Sequence, residues 1–129
     1  MEIRVDPDLR EINLGEWDGR PKLDIEAESP AEWKTRGASI DTFRPPEGES
    51  FSDLYQRVIP VFEHIAETVS SPVLIVGHAG VNRVILCRVL NMPICKLFSI
   101  GQNYGALNII EKGRAGLKVT AMNVGISFL

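Results

Sequence analysis

Apolar residues in this chain fall partly at helical spacing and partly in short continuous runs. Phe51, Leu54, Val58, Val61, Phe62, Ile65 and Val69 recur at three- and four-residue steps, which gathers them on one helix face. Ser50 is suited to cap that helix, and Asp53 favours its positive end. Pro60 inside the pattern should kink it, and Ser70-Ser71-Pro72 should end it. Val73-Leu74-Ile75-Val76 follows as an unbroken apolar run, the signature of a strand buried on both faces of a parallel sheet. Gly77-His78-Ala79-Gly80 reads as a turn. Helical spacing returns over residues 81–91 through Val81, Val84, Ile85, Val89 and Leu90, until Asn91-Met92-Pro93 stops it.

Shorter elements fill the rest. Ile3 to Val5 is a strand candidate closed by Asp6-Pro7-Asp8, and two short helices are expected, from about Pro21 to Glu28 and from about Pro30 to Arg36. Ala106 to Ile110 and Leu117 to Val124 are further strand candidates, with a turn at Lys112-Gly113-Arg114-Ala115-Gly116. Residues 9–19, LREINLGEWDG, read as an irregular glycine-bearing stretch, and residues 37–49 as a loop ending in Arg44-Pro45-Pro46-Glu47-Gly48. Strand, helices, strand, helix, strand, strand is an α/β order.

The 129 residues suit a single domain over 1–129. With 44% hydrophobic and 24% charged residues the composition is that of an ordinary globular protein, and no apolar run is long enough to cross a bilayer. The opening residues have no signal-peptide core, so a cytoplasmic location is expected. Cys87 and Cys95 form no CxxC pair and lie near no histidine pair, which argues against a metal or disulfide role and for a reducing compartment. A net charge of −3 with mixed signs argues against nucleic acid as the main partner.

The candidate chemistry centres on His78. A parallel strand delivers its last residue to the carboxyl edge of a sheet, where open α/β folds bind ligands. The following helix aims its free N–H groups and positive dipole end at the same place. Gly77 and Gly80 allow a tight turn and close approach, and a histidine there can donate to a phosphate oxygen or carry positive charge beside it. The plainer alternative is a packed histidine bonding a backbone carbonyl. His64, between Glu63 and Glu67 and off the apolar face, reads as a solvated surface residue.

Glu11, Glu16 and Asp18 share the glycine-bearing stretch. A carboxylate beside a phosphate can protonate a leaving oxygen. Glu16 and Asp18 read as loop charges, whereas the residues alone leave Glu11 open between that and an acid. Trp17 and Trp33 read as packing residues.

Three segments in order, LREINLGEWDG (9–19), PPEGES (45–50) followed by Arg57, and VLIVGHAGVNRVI (73–85), resemble the histidine phosphatase superfamily, also called phosphoglycerate-mutase-like. The tail QNYGALNII (102–110) further resembles its α-ribazole phosphatase branch, which acts in cobalamin synthesis. The resemblance implies a three-layer αβα fold and phosphomonoester hydrolysis in two steps, through a phosphohistidine and without a cofactor. His78 would be a catalytic and phosphate-binding histidine, Glu11 the catalytic acid, and the Ala79 N–H a phosphate contact. Gly48-Glu49-Ser50 would open the long helix, with Glu49 and Ser50 supporting the site from behind. The substrate would be a small phosphate ester such as α-ribazole phosphate or a phosphoglycerate, with no nucleic-acid or membrane partner.

The nucleophile in that family lies in an Arg-His-Gly motif, and no Arg-His-Gly occurs in these 129 residues. Two strands of the family fold are likewise expected to be missing. The chain alone is therefore expected to be inactive. The remaining strands should either pair with one another, or be covered by a second copy in a homodimer or by the missing N-terminal segment. The contrasting expectation is a non-catalytic phospho-ligand-binding or interaction protein on the same scaffold.

Overall fold

In a computed structural model of the chain, residues 2–125 are described. The first ordered feature is a 3-10 turn at Pro7–Leu9, where the Asp6 carboxylate accepts the Asp8 N–H at 2.9 Å. A second 3-10 turn covers Gly15–Trp17. Helix α1 spans Lys22–Glu28 and α2 spans Pro30–Ala38, close to the ranges expected from sequence. Ser29 separates them, and Pro30 begins α2 at a position where a missing N–H costs nothing.

Helix α3, Phe51–Thr68, is the backbone of the molecule. Its start is a capping box: the Ser50 hydroxyl accepts the Asp53 N–H at 3.1 Å while the Asp53 carboxylate accepts the Ser50 N–H at 2.9 Å. Arg44 donates two bonds to the same carboxylate, at 2.6 and 2.7 Å. Those bonds first, and Ser50 second, hold Asp53 well below the usual carboxylate range. The helix runs on through exposed Pro60. Phe51, Leu54, Val58 and Phe62 are buried as the spacing predicts, and Ile59 joins them.

Helix α4, Ala79–Val89, packs on α3. It begins two residues earlier than expected, so Ala79 and Gly80 are its first turn and His78 its N-cap. Its end is as expected: Asn91 takes a φ of 53° and the Met92 N–H bonds the Cys87 carbonyl. Val81, Val84 and Ile85 meet Leu54, Val58 and Phe62 in a hydrophobic cluster. Each such fully buried side chain contributes about 1.5–3 kcal/mol. A 3-10 segment at Ile94–Ser99, without a periodic signature, closes the cluster with Leu97, and Ile100 follows it.

Strands β1, Leu107–Gly113, and β2, Gly116–Val124, form an antiparallel hairpin with Gly113 opposite Gly116. Ile110, Leu117 and Val119 from one face rest on the cluster. The two other strand candidates differ from expectation. Neither Ile3–Val5 nor Val73–Val76 forms a ladder. Ile75 alone of the second run packs on the cluster, while Val73, Leu74 and Val76 are 52%, 70% and 84% exposed. Ile3 and Val5 are 79% and 91% exposed. A ladder needs a neighbour about 4.8 Å away, and the described residues supply none. The expected mutual pairing of these strands is therefore not how this chain closes the gap.

Candidate active site

The segment before Glu11 is anchored from both sides. Leu9 and Ile12 pack against the hydrophobic cluster. Behind them stands Arg57, one and a half turns into α3, whose five N–H donors are all engaged. Its Nε and one terminal nitrogen fork onto the Glu49 carboxylate at 2.8 and 3.0 Å. The remaining donors reach the backbone carbonyls of Asp8 at 2.7 Å, Arg10 at 2.9 Å and Glu11 at 3.0 Å. Glu49 in turn accepts the Asn13 N–H at 2.9 Å and donates its own N–H to the Asn13 carbonyl at 2.7 Å. Arg57 holds the Glu49 carboxyl below its usual range, with the Asn13 bond adding to the effect. Glycines permit the close passage of the two loops: Gly15 sits at a φ of 57°, and a Cβ there would lie 2.1 Å from the Pro46 carbonyl oxygen.

So held, the Glu11 side chain reaches the start of α4. One carboxylate oxygen accepts the Gly80 N–H at 3.0 Å, and the other the Ile12 N–H at 2.9 Å. The favourable end of the helix dipole contributes to that attraction. A Cβ at residue 80 would lie 2.4 Å from Glu11 Oε1, so the carboxylate could not keep this position against any larger residue. His78 immediately precedes the helix, with its side chain exposed. The N–H groups of Ala79 and Val81 take no acceptor among the described residues. A carboxylate thus meets the first turn of a helix that has two free N–H groups and a histidine as its N-cap.

Of the residues singled out in the sequence, Glu11 meets the first turn of α4, which His78 caps and Ala79 begins; Glu49 is joined to the Glu11 backbone through Arg57, and Ser50 caps α3. Glu16 and Asp18 are exposed, as is His64. Trp17 is buried, with its ring 6.1 Å from Trp33 and 5.3 Å from Phe43. Among the described residues no group of His, Cys, Asp and Glu is gathered to hold a metal ion. Two features escaped sequence reasoning. The partner of Gly80 is a carboxylate 69 positions away, and no local pattern records that. The clamp made by Arg57 had a signal in its spacing from Gly48-Glu49-Ser50, but only the fold identifies the carbonyls it holds. The tail 102–110 also has a specific role: Gln102 and Asn108 exchange amide bonds at 2.9 and 2.8 Å, tying the chain before β1 to the hairpin.

Known proteins share the sequence pattern and the fold of this chain. The model of the histidine phosphatase superfamily (branch 1) matches residues 1–125. The adenosylcobalamin/alpha-ribazole phosphatase of Salmonella typhimurium is 32% identical over 119 residues, 88% of this chain and 57% of that protein. The glucosyl-3-phosphoglycerate phosphatase of Mycobacterium tuberculosis is 30% identical over 116 residues, 78% of this chain and 49% of that protein. The chain thus spans about half the length of these curated relatives. Among solved structures, the alpha-ribazole phosphatase from Shigella flexneri superposes with a TM-score of 0.83 at 22% identity, covering 99% of this chain and 65% of that one. The mixed helix and strand architecture with its small sheet is therefore that of the phosphoglycerate-mutase-like fold. On the sequence match and the shared fold together, this chain belongs to the histidine phosphatase superfamily, branch 1.

Proposed function

We propose that these residues form one part of a phosphomonoesterase site acting on a small phosphate ester. The observation that carries this reading is the Glu11 carboxylate on the Gly80 N–H, two residues past His78. It sets an acid against a helix start with free N–H groups, directly after His78 in the chain, and these are groups suited to bind a phosphoryl group and protonate its leaving oxygen. In the proposed reaction a histidine outside these 129 residues attacks phosphorus as the ester bond breaks. Glu11 gives its proton to the departing oxygen, His78 and the Ala79 N–H hold the phosphoryl oxygens, and water then cleaves the phosphohistidine. The similarity to the Salmonella protein supports an α-ribazole phosphate type of substrate and a place in cobalamin synthesis. The unbonded cysteines, Cys87 buried and Cys95 exposed, support a reducing, cytoplasmic setting. The bare apolar runs at Ile3–Val5 and Val73–Val76 support a partner, either a further segment or a second copy, that covers them.

Only His64 and His78 are present, and neither has the setting of an attacking group in this reading. Purified chain should therefore hydrolyse p-nitrophenyl phosphate no faster than buffer. Turnover that disappears on His78→Ala would assign the nucleophile to His78 and overturn this division of roles.

A further inference from the structure

The Glu11 carboxylate is held by backbone alone. Oε2 accepts the Gly80 N–H at 3.0 Å and Oε1 accepts the Ile12 N–H at 2.9 Å. Among the described residues it forms no ion pair. Residue 80 being glycine is what admits it, since a Cβ there would lie 2.4 Å from Oε1.

This contact conflicts with both halves of the chemistry assigned to the site. The N–H groups of a first helical turn point together out of the helix start. That of Gly80 lies between those of Ala79 and Val81, which take no acceptor among the described residues, and the His78 side chain makes no cap bond. An oxyanion that reaches the two outer donors must straddle the middle one, which Glu11 fills. Its oxygens would then crowd Oε2 with no cation between them, and like charges so placed repel. The second conflict is one of direction. An acid has to turn a carboxyl oxygen toward the leaving oxygen, whereas both oxygens of Glu11 are turned to backbone N–H groups.

One movement removes both conflicts. The Glu11 backbone is fixed, because Arg57 donates to its carbonyl at 3.0 Å and Leu9 and Ile12 on either side pack on the hydrophobic cluster. The side chain has no such anchor beyond its two N–H bonds. Rotation about its own bonds vacates the helix start and frees the carboxyl group while the loop stays in place.

We propose that the contact between Glu11 and Gly80 is a resting state, in which the carboxylate stands in for a phosphate, and that a phosphate group arriving at the start of α4 displaces it. This rests on the phosphoester reading of the site. Glu11 is then released for its acid role only when the site is filled.

The test is a titration of the 129-residue chain with inorganic phosphate at fixed ionic strength, followed in the backbone nitrogen–proton correlation spectrum. The amides of Ala79, Gly80 and Val81 should shift as phosphate binds. The Ile12 amide should shift with the same midpoint, because it loses its acceptor. Shifts at Ala79 and Val81 with Ile12 unmoved at saturation would show that Glu11 stays, which overturns the displacement and leaves the phosphate reading standing. No shift at the start of α4 would remove both.

Affinity gives a second measurement. Glu11→Ala removes the stand-in and should bind phosphate about tenfold more tightly, as expected when a site held mostly closed is opened. Gly80→Ala keeps the Glu11 charge but denies the carboxylate its place, so it too should tighten binding. A gain in Glu11→Ala with none in Gly80→Ala would mark a simple loss of negative charge and count against the resting contact. The titration of the parent chain decides the matter should either variant fold poorly.

Discussion

Gly80 lies where helix α4 meets the Glu11 carboxylate, and a methyl group there would have to displace that carboxylate. Gly→Ala in a helix normally stabilises by about 1 kcal/mol. Here the added Cβ would sit 2.4 Å from Glu11 Oε1, so the carboxylate must move and give up its bonds to the Gly80 and Ile12 N–H groups, at a cost of about 1–3 kcal/mol. Gly80→Ala is expected to destabilise the chain in urea denaturation. In a Glu11→Ala background the same change should reverse sign and stabilise, because the clashing oxygen is gone. Additive effects in the two backgrounds would show that the contact is not what constrains residue 80. Arg57 is subject to a different kind of residue-level constraint. Its five donors follow the fixed fork of a guanidinium, which an ammonium cannot reproduce. Arg57→Lys should therefore cost at least about 2 kcal/mol in the same assay, with charge retained. A loss within a few tenths of that for an ordinary surface substitution would remove Arg57 from the support of the Glu11 loop.

At the scale of elements, the start of α3 links stability to acid. Loss of the Ser50 hydroxyl in Ser50→Ala should cost about 1 kcal/mol, the usual magnitude for an N-cap. Glu49 and Asp53 flank that cap, and both are held below the ordinary carboxylate range, by Arg57 and Arg44 respectively. A lowered folded-state value means that the unfolded chain binds protons more readily as pH falls. The stability from these two groups is thus complete above the unfolded carboxylate value near 4 and is lost as pH drops through the folded values. Urea midpoints should be level between about pH 5 and 7 and fall below about pH 4. Glu49→Gln should start lower at neutral pH and fall less steeply on acidification. An unchanged acid slope in that variant would exclude Glu49 as a contributor.

At the scale of the molecule, the helices and hairpin are complete as units while one part of the surface is not. Ile3, Val5, Val73, Leu74 and Val76 are bare, with no backbone ladder at either segment. Exposed apolar runs with unpaired backbone invite another strand. The purified chain should self-associate in sedimentation velocity, and Leu74→Thr with Val76→Thr should reduce that association. Folding stability should stay within about 0.5 kcal/mol, since neither side chain packs on the hydrophobic cluster. A parent chain that stays monomeric at high concentration would count against a second copy at this surface.

Periodicity located α3 and α4, because their apolar faces are written at fixed local spacing, while proline and glycine punctuation placed α1, α2 and the hairpin within a few residues. The ordered segments around Glu11, Gly48-Glu49-Ser50 and His78 likewise identified the family and the residues to inspect. The unbroken run Val73–Val76 reads as a buried strand because its composition suits burial, yet a ladder requires a neighbour that local sequence cannot supply. Only the tertiary structure decided that the run is bare here, that Arg57 clamps three carbonyls more than forty positions away, and that Gly80 accommodates Glu11. Those outcomes depend on which distant segments meet, and the packing of α3 against α4 sets that.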